Sequence, residues 1–277
     1  MNVVFITMDG ARADRIINGY NYKNLISQGV FFSKVIAYAP FTIAAMHAVF
    51  SGTYGFKNGV NSYWSSPKFK HKLYKTIPLY MKDAGYVTYG DSINSLILPS
   101  DGFDELNIHD ELHDNLTERH KSLLDKMAKL KQEGKKFFLY LHYSNIHTGI
   151  MQEVLKKYDN FSKEYFSNKQ KNSKFYDDLF DHADKYLGSV TNYLKILGLN
   201  EDTLLIVMSD HGISVGEKLG ERAYGVYCYD TTIISTVLFN FPEVIPITLD
   251  QQIRSVDILP TILELLSISS DKNYNEI

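Results

Sequence analysis

The chain has 277 residues, 44% of them hydrophobic and 22% charged, with a formal net charge of −3. That is enough apolar material for one large core, and domain-size priors point to one α/β domain over 1–277. The charge balance and the even spread of basic residues exclude a polybasic nucleic-acid binder, and the single cysteine, Cys228, excludes a disulfide framework and a zinc–thiolate cluster.

Val3 to Ile6 is an apolar run that begins close behind Met1, with no basic leader and no small-residue cleavage site. No apolar run reaches the length of a membrane span, so a cytoplasmic protein is expected. The run ends in an acid, at Met8-Asp9-Gly10. A short helix follows over 22–27, closed by Gly29, and then a β-rich run over 30–38. Residues 39–50 read as a loop and a helix whose first turn begins at Thr42. The ordinary role of Thr42 is to cap that helix. The alternative uses the same geometry: a hydroxyl at a helix N-terminus, beside a divalent metal, becomes an alkoxide-like nucleophile.

A helix over 76–84 has Pro78 in its first turn and Gly85 after it, and a strand over 86–90 follows, closed by Asp91 and Ser92. Residues 93–113 read as irregular, and 115–133 as an amphipathic helix lying on a sheet face. A buried strand over 136–141 runs into His142-Tyr143-Ser144-Asn145-Ile146-His147. Residues 150–174 carry six lysines among Tyr158, Phe161, Tyr165 and Phe166. This segment is either a solvated loop or a basic lid over an anionic substrate. A long helix over 175–197 ends at Gly198 and leads into a continuous apolar run over 203–208, which stops at Ser209-Asp210-His211-Gly212. Polar residues collecting at strand ends suggest ligands, because open α/β sheets bind them beyond the carboxyl ends of their strands. Asp9 and Asp210 at one edge would supply the paired carboxylates a hard divalent cation needs. Lys218 and Arg222 place cations close behind, 231–239 is β-rich, Asp257 is expected to cap a helix over 258–267, and 268–277 should be frayed.

Several of these stretches, in order, resemble the sulfatase branch of the alkaline phosphatase superfamily. They are Thr7-Met8-Asp9-Gly10-Ala11-Arg12, Thr42 with Ser51-Gly52-Thr53, Gly102-Phe103-Asp104, Asn145-Ile146-His147-Thr148, Ser209-Asp210-His211-Gly212 with Gly216-Glu217, and Val256-Asp257-Ile258-Leu259-Pro260-Thr261. The resemblance implies a three-layer α/β/α fold with a mostly parallel central sheet. The family's smaller C-terminal subdomain is expected to be abbreviated or absent here. It also implies a metal-dependent esterase in which Asp9, Asp210, His211 and the Thr42 oxygen hold one divalent ion, whether Mn²⁺, Ca²⁺, Mg²⁺ or Zn²⁺.

Departures from the family pattern narrow the chemistry. Formylglycine sulfatases carry Cys or Ser where Thr42 stands; Met46 occupies the place of the motif arginine, Asp91 that of a lysine, and Gly10 that of a second acid. A threonine instead resembles the phosphodiesterase and phosphoglycerol transferase relatives. The expectation is a hydrolase of phosphate or sulfate esters, phosphate preferred, with Thr42 as nucleophile, His147 as acid to the leaving oxygen, and Lys218 and Arg222 replacing the missing cations. Its partner is a small anionic ester, on a saccharide or a lipid. A headgroup transferase and a non-catalytic binding protein are the alternatives; acceptor alcohols and metal analysis discriminate them.

Overall fold

In the computed structural model, which describes residues 1–270, nine strands form one sheet. They are β1 (Asn2–Met8), β2 (Val30–Ile36), β3 (Val87–Ser92), β4 (Glu105–Ile108), β5 (Phe137–Tyr143), β6 (Thr203–Met208), β7 (Ile234–Asn240), β8 (Ile247–Leu249) and β9 (Ile253–Arg254). The order is β4-β3-β5-β1-β6-β7-β2-β8, with β9 also on β2. From β4 to β6 every pairing is parallel; β7 runs antiparallel to both β6 and β2. The central strands β1, β5 and β6 are buried at every residue, as continuous apolar runs covered on both faces require.

Alternation along β1 divides the core. Val4, Ile6 and Met8 face one layer, with residues of α2 (Tyr20–Ile26), α6 (Leu116–Gln132), α7 (Asn145–Ile150) and α9 (Lys169–Ile196). Val3 and Phe5 face the other, with α3 (Thr42–Ser51), α5 (Ile77–Asp83) and α11 (Ile258–Leu265). Short helices α1 (Ala13–Ile16), α4 (Gly55–Asn58), α8 (Lys163–Ser167) and α10 (Asp230–Ile233) join these elements. The architecture is the expected three-layer α/β/α fold.

Some boundaries differ from the sequence reading. Residues 93–113 are not wholly irregular: β4 adds to β3 in parallel. The strand expected to end at 141 continues through Tyr143. The segment over 150–174 is largely helical, comprising a π-helical turn at Met151–Leu155, α8 and the beginning of α9. Asp257 makes no side-chain cap on α11; its carboxylate accepts from the Arg254 amide at 2.9 Å. The expected frayed tail lies, from residue 271 onward, outside the described residues.

Candidate metal centre

Parallel pairing of β1 with β5 and β6 delivers their carboxyl ends to one edge, with Thr7 beside both His142 and Met208. Asp9 and Asp210 therefore emerge side by side, and the Gly10 amide donates to Asp210 Oδ1 at 3.1 Å. That backbone turn requires glycine: Gly10 has φ +73°, and an added Cβ would lie 2.6 Å from Ile213 Cδ1.

Thr42 begins α3, but the residue in the capping position is Phe41, and the helix has no side-chain cap. The Thr42 hydroxyl instead donates to Asp9 Oδ2 at 3.2 Å and lies 3.3 Å from His211 Nε2. His211 Nδ1 is 2.8 Å from the Gly212 carbonyl. A carbonyl only accepts, so Nδ1 carries the proton and Nε2 presents a lone pair. That lone pair points at Asp210 Oδ2, 3.4 Å away, and Asp9 Oδ1, 3.6 Å away. Both carboxylate oxygens are buried without a hydrogen-bond partner.

Asp9 Oδ1, Asp210 Oδ2 and His211 Nε2, all buried, thus face one another with no hydrogen-bond donor between them, and Thr42 Oγ1 lies beside the imidazole nitrogen. Such an arrangement is unfavourable for lone pairs alone and matches a divalent cation's N/O ligand set. The carboxyl groups respond as a pair crowded into one place. Burial opposes the Asp9 charge, but His147, hydrogen-bonded His142 and His211 outweigh it and hold its carboxyl well below the usual range. Burial, then the charge on Asp9, pushes Asp210 up.

Two contributors were not singled out from the sequence as site residues. His142 Nδ1 accepts from the Ile93 amide at 3.4 Å, which leaves Nε2–H to donate to Asp9 Oδ2 at 3.1 Å. His142 therefore fixes the orientation of the Asp9 carboxylate. Its signal was its place at a strand end, beside Thr7 of β1. Tyr224 Oη lies 2.8 Å from His147 Nδ1, and its ring centroid is 4.8 Å from that of His211. It stands in an irregular loop, where sequence periodicity carries no information.

His147, on α7, stands at the same centre, its Nδ1 3.8 Å from Asp9 Oδ2 and its side chain 22% exposed. Lys218 and Arg222 do not join this group: Arg222 donates to Asn160 at 2.9 Å and Lys218 is exposed, with no hydrogen bond or ion pair to the centre among the described residues. Met46 is fully buried in the apolar layer.

Asp91 belongs to a separate buried group. It accepts from His109 at 2.9 Å, His120 at 3.0 Å and Arg119 at 2.8 Å, while the outer nitrogens of the two imidazoles meet Ser144 and Tyr186. Burial opposes its charge, and these donors hold its carboxyl well below the usual range. Every polar group there is paired, unlike the lone pairs between Asp9 and Asp210.

The segment after α7 packs on the loop that follows the centre. Tyr165 Oη reaches the Ser214 carbonyl at 3.5 Å, Asn172 reaches the Val215 carbonyl at 3.3 Å, and Phe161 lies against Gly220.

A mostly parallel sheet with helices on both faces and a carboxylate–imidazole centre at its strand ends is the arrangement of the alkaline phosphatase superfamily. A sequence model of the Sulfatase family matches residues 1–268, and the chain belongs to that family. The fold is shared with a 2-O GAG sulfatase (TM-score 0.79, 16% identity, 99% of this chain and 72% of that one). It is shared also with a protein solved in complex with its substrate D-glucosamine-2-N,6-O-disulfate (TM-score 0.70, 15% identity, 99% and 78%). A third is the lipoteichoic acid synthase LtaP of Listeria monocytogenes (TM-score 0.73, 14% identity, 97% and 72%). At these identities the likeness concerns the fold alone. No curated protein shows a significant match to the chain. Among the described residues, no helix is long and apolar enough to cross a membrane.

Proposed function

We propose that the chain is a metal-dependent hydrolase of phosphate or sulfate esters, with phosphate esters preferred, working through Thr42. The observation that carries this reading is the convergence of unpartnered Asp9 Oδ1 and Asp210 Oδ2 with the free His211 Nε2 beside Thr42 Oγ1. Asp9, Asp210, His211 and Thr42 would hold one divalent ion, of the Mn²⁺, Ca²⁺, Mg²⁺ or Zn²⁺ class. When bound, it supplies Lewis-acid activation of the hydroxyl and offsets charge on the ester.

The residues then divide the work. Thr42 Oγ1 passes its proton, held towards Asp9 Oδ2, out to water and attacks phosphorus or sulfur; the bond to the leaving oxygen breaks as the bond to Oγ1 forms. His147, half-buried at the centre and held by Tyr224, gives the leaving oxygen its proton. His142 keeps Asp9 in place. Water resolves the threonine ester. Lys218, Arg222 and the exposed lysines of 150–174 draw the anion towards the site, and that segment acts as a lid. A threonine in place of a formylglycine precursor supports phosphorus over sulfur. Transfer to an acceptor alcohol is the second reading, favoured by the fold shared with a lipoteichoic acid synthase. A saccharide as carrier of the ester is supported by the disulfated glucosamine bound to a protein of this fold.

The test is turnover of aryl phosphate, bis(aryl) phosphate and aryl sulfate with each of the four metals, with and without an added alcohol. Turnover of any ester that Thr42→Ala abolishes supports the proposal; undiminished turnover by Thr42→Ala overturns it.

A further inference from the structure

Asp91 lies near the carboxyl end of β3, on the same sheet edge as the metal centre but with β5 between its strand and β1. Its backbone pairs with Leu141, the residue before His142. The buried group that Asp91 organises shares no residue with the centre, yet two links from this corner reach the chain leaving β5. Ile93, which follows Ser92 out of β3, donates its amide to His142 Nδ1 at 3.4 Å, and His142 Nε2–H donates to Asp9 Oδ2 at 3.1 Å. From the side chain, Asp91 Oδ2 accepts from His109 Nδ1 at 2.9 Å, and His109 Nε2 meets Ser144 Oγ at 2.9 Å. Between these two anchored residues, the Tyr143 carbonyl accepts from the Asp9 amide at 3.0 Å. Both the backbone and the carboxylate of Asp9 therefore rest on residues 142–144, and the Asp91 corner holds that stretch from its far side.

A carboxylate only accepts, so Asp91 turns His109 Nδ1–H and His120 Nε2–H inward. That leaves His109 Nε2 aimed at Ser144, and His120 Nδ1 aimed at Tyr186 Oη on α9. One arm of the group thus runs towards the centre and the other away from it. Burial opposes the Asp91 charge, but the bonds from His109, His120 and Arg119 hold it ionised. A buried ionic group contributes little net stability relative to apolar side chains of similar volume. Fully paired, it rigidifies what it touches, and one of its arms touches the residue next to Tyr143.

We propose that Asp91 is a positioning residue for the metal ligand Asp9, acting through His109 and residues 142–144, so that ion affinity is tuned two strands away from the ion. The proposal rests on the reading of Asp9, Asp210 and His211 as a metal centre. A carboxylate held in place before the ion arrives loses less freedom on binding it. Partners that hold a ligand are typically worth about ten- to a hundredfold in metal affinity. Asp91 and Ser144 act at one further remove, so the lower end, about tenfold, is expected.

The experiment is calorimetric titration of the metal-stripped full chain with Mn²⁺, Ca²⁺, Mg²⁺ and Zn²⁺, each alone, and then of its variants with the ion that binds tightest. Asp91→Asn and Ser144→Ala should each weaken that ion about tenfold at unchanged stoichiometry. Tyr186→Phe is the control: it deletes one hydroxyl from the same buried group, on the arm leading away, and keeps the ring that packs on Tyr143. Its ion affinity should stay within about twofold of native, whatever its melting temperature does. Ser144→Ala added to Asp91→Asn should weaken the ion little further, because both break one path. Where Asp91→Asn does not fold, Ser144→Ala against Tyr186→Phe decides. Native-like affinity in Ser144→Ala, or an equal loss in Tyr186→Phe, would overturn the proposal, the second by showing general loosening instead of a directed link. If the native chain binds none of the four ions, or Asp210→Asn binds as native does, the metal-centre reading falls and the proposal with it. If native binds, Asp210→Asn does not and Ser144→Ala is silent, the proposal alone falls.

Discussion

Thr42 stands in the first turn of α3 yet does nothing for that turn; its hydroxyl is turned to Asp9 and His211. Removing it should therefore leave the helix intact while lowering turnover by about a thousandfold or more, as loss of a nucleophile that acts within a unit does. Thr42→Ser should retain measurable turnover, and steady-state kinetics with circular dichroism checks both outcomes. Asp210→Asn removes the charge from one of the two orphaned oxygens' parent groups, and elemental analysis should show less than one-tenth of the native metal content, about a tenfold or greater loss. At this scale Asp9, Asp210 and His211 were legible because each ends an apolar run, and strand ends are where α/β folds place ligands. Tyr224 was not, because only tertiary contact, through His147 and His211, brings it to the centre.

Helix α3 carries a pH dependence of its own. His47, buried on that helix and donating from Nδ1 to the Ile43 carbonyl, has its pKa lowered to about 4 by burial. A folded value below the unfolded one means that the unfolded chain binds the proton first. Stability is thus fully present above about pH 6.5 and falls as the pH drops towards 4, by about 3 kcal/mol from this group. His120, lowered by burial, adds a change of the same sign. Denaturant melts of the native chain and His47→Gln at pH 7 and about pH 4.5 should show a smaller difference in the variant; equal differences would remove His47 from the account. The turn after β1 makes a second demand, since Gly10→Ala must adopt φ +73° against Ile213. About 1–2 kcal/mol of stability should be lost, together with metal affinity, because the Gly10 amide holds Asp210. Long apolar or amphipathic elements such as β1, β6 and α6 were legible from period and length. β4, β8 and β9 were not: each has two to four residues and is defined by the edge it joins rather than by a pattern of its own.

For the molecule as a whole, the centre ties together the strands that make the middle of the sheet, β5, β1 and β6, so metal binding should act on global stability. A metal present at a hundred times its dissociation constant stabilises the native state by about 2.7 kcal/mol. For a chain of this size that raises the melting temperature by roughly 5–10 °C. Calorimetric scans with EDTA and after metal return should show the shift and its recovery; a scan insensitive to chelator in a protein shown to lose its metal would break the link between centre and fold. The layer architecture was legible from the order of strands and helices. The antiparallel β7 was not, since an apolar run does not state its direction.

The contacts of Asn160, Phe161, Tyr165 and Asn172 with the 213–222 loop give two separate stretches of chain a common fate. Amides in 160–172 and 213–222 should share one opening free energy in hydrogen exchange, lower than that of β1 or β6. On the proposed hydrolase reading, sequence change in the outer stretch would retune how long that loop stays closed over the centre, and with it the residence time of product, while Asp9, Asp210 and His211 stayed as they are.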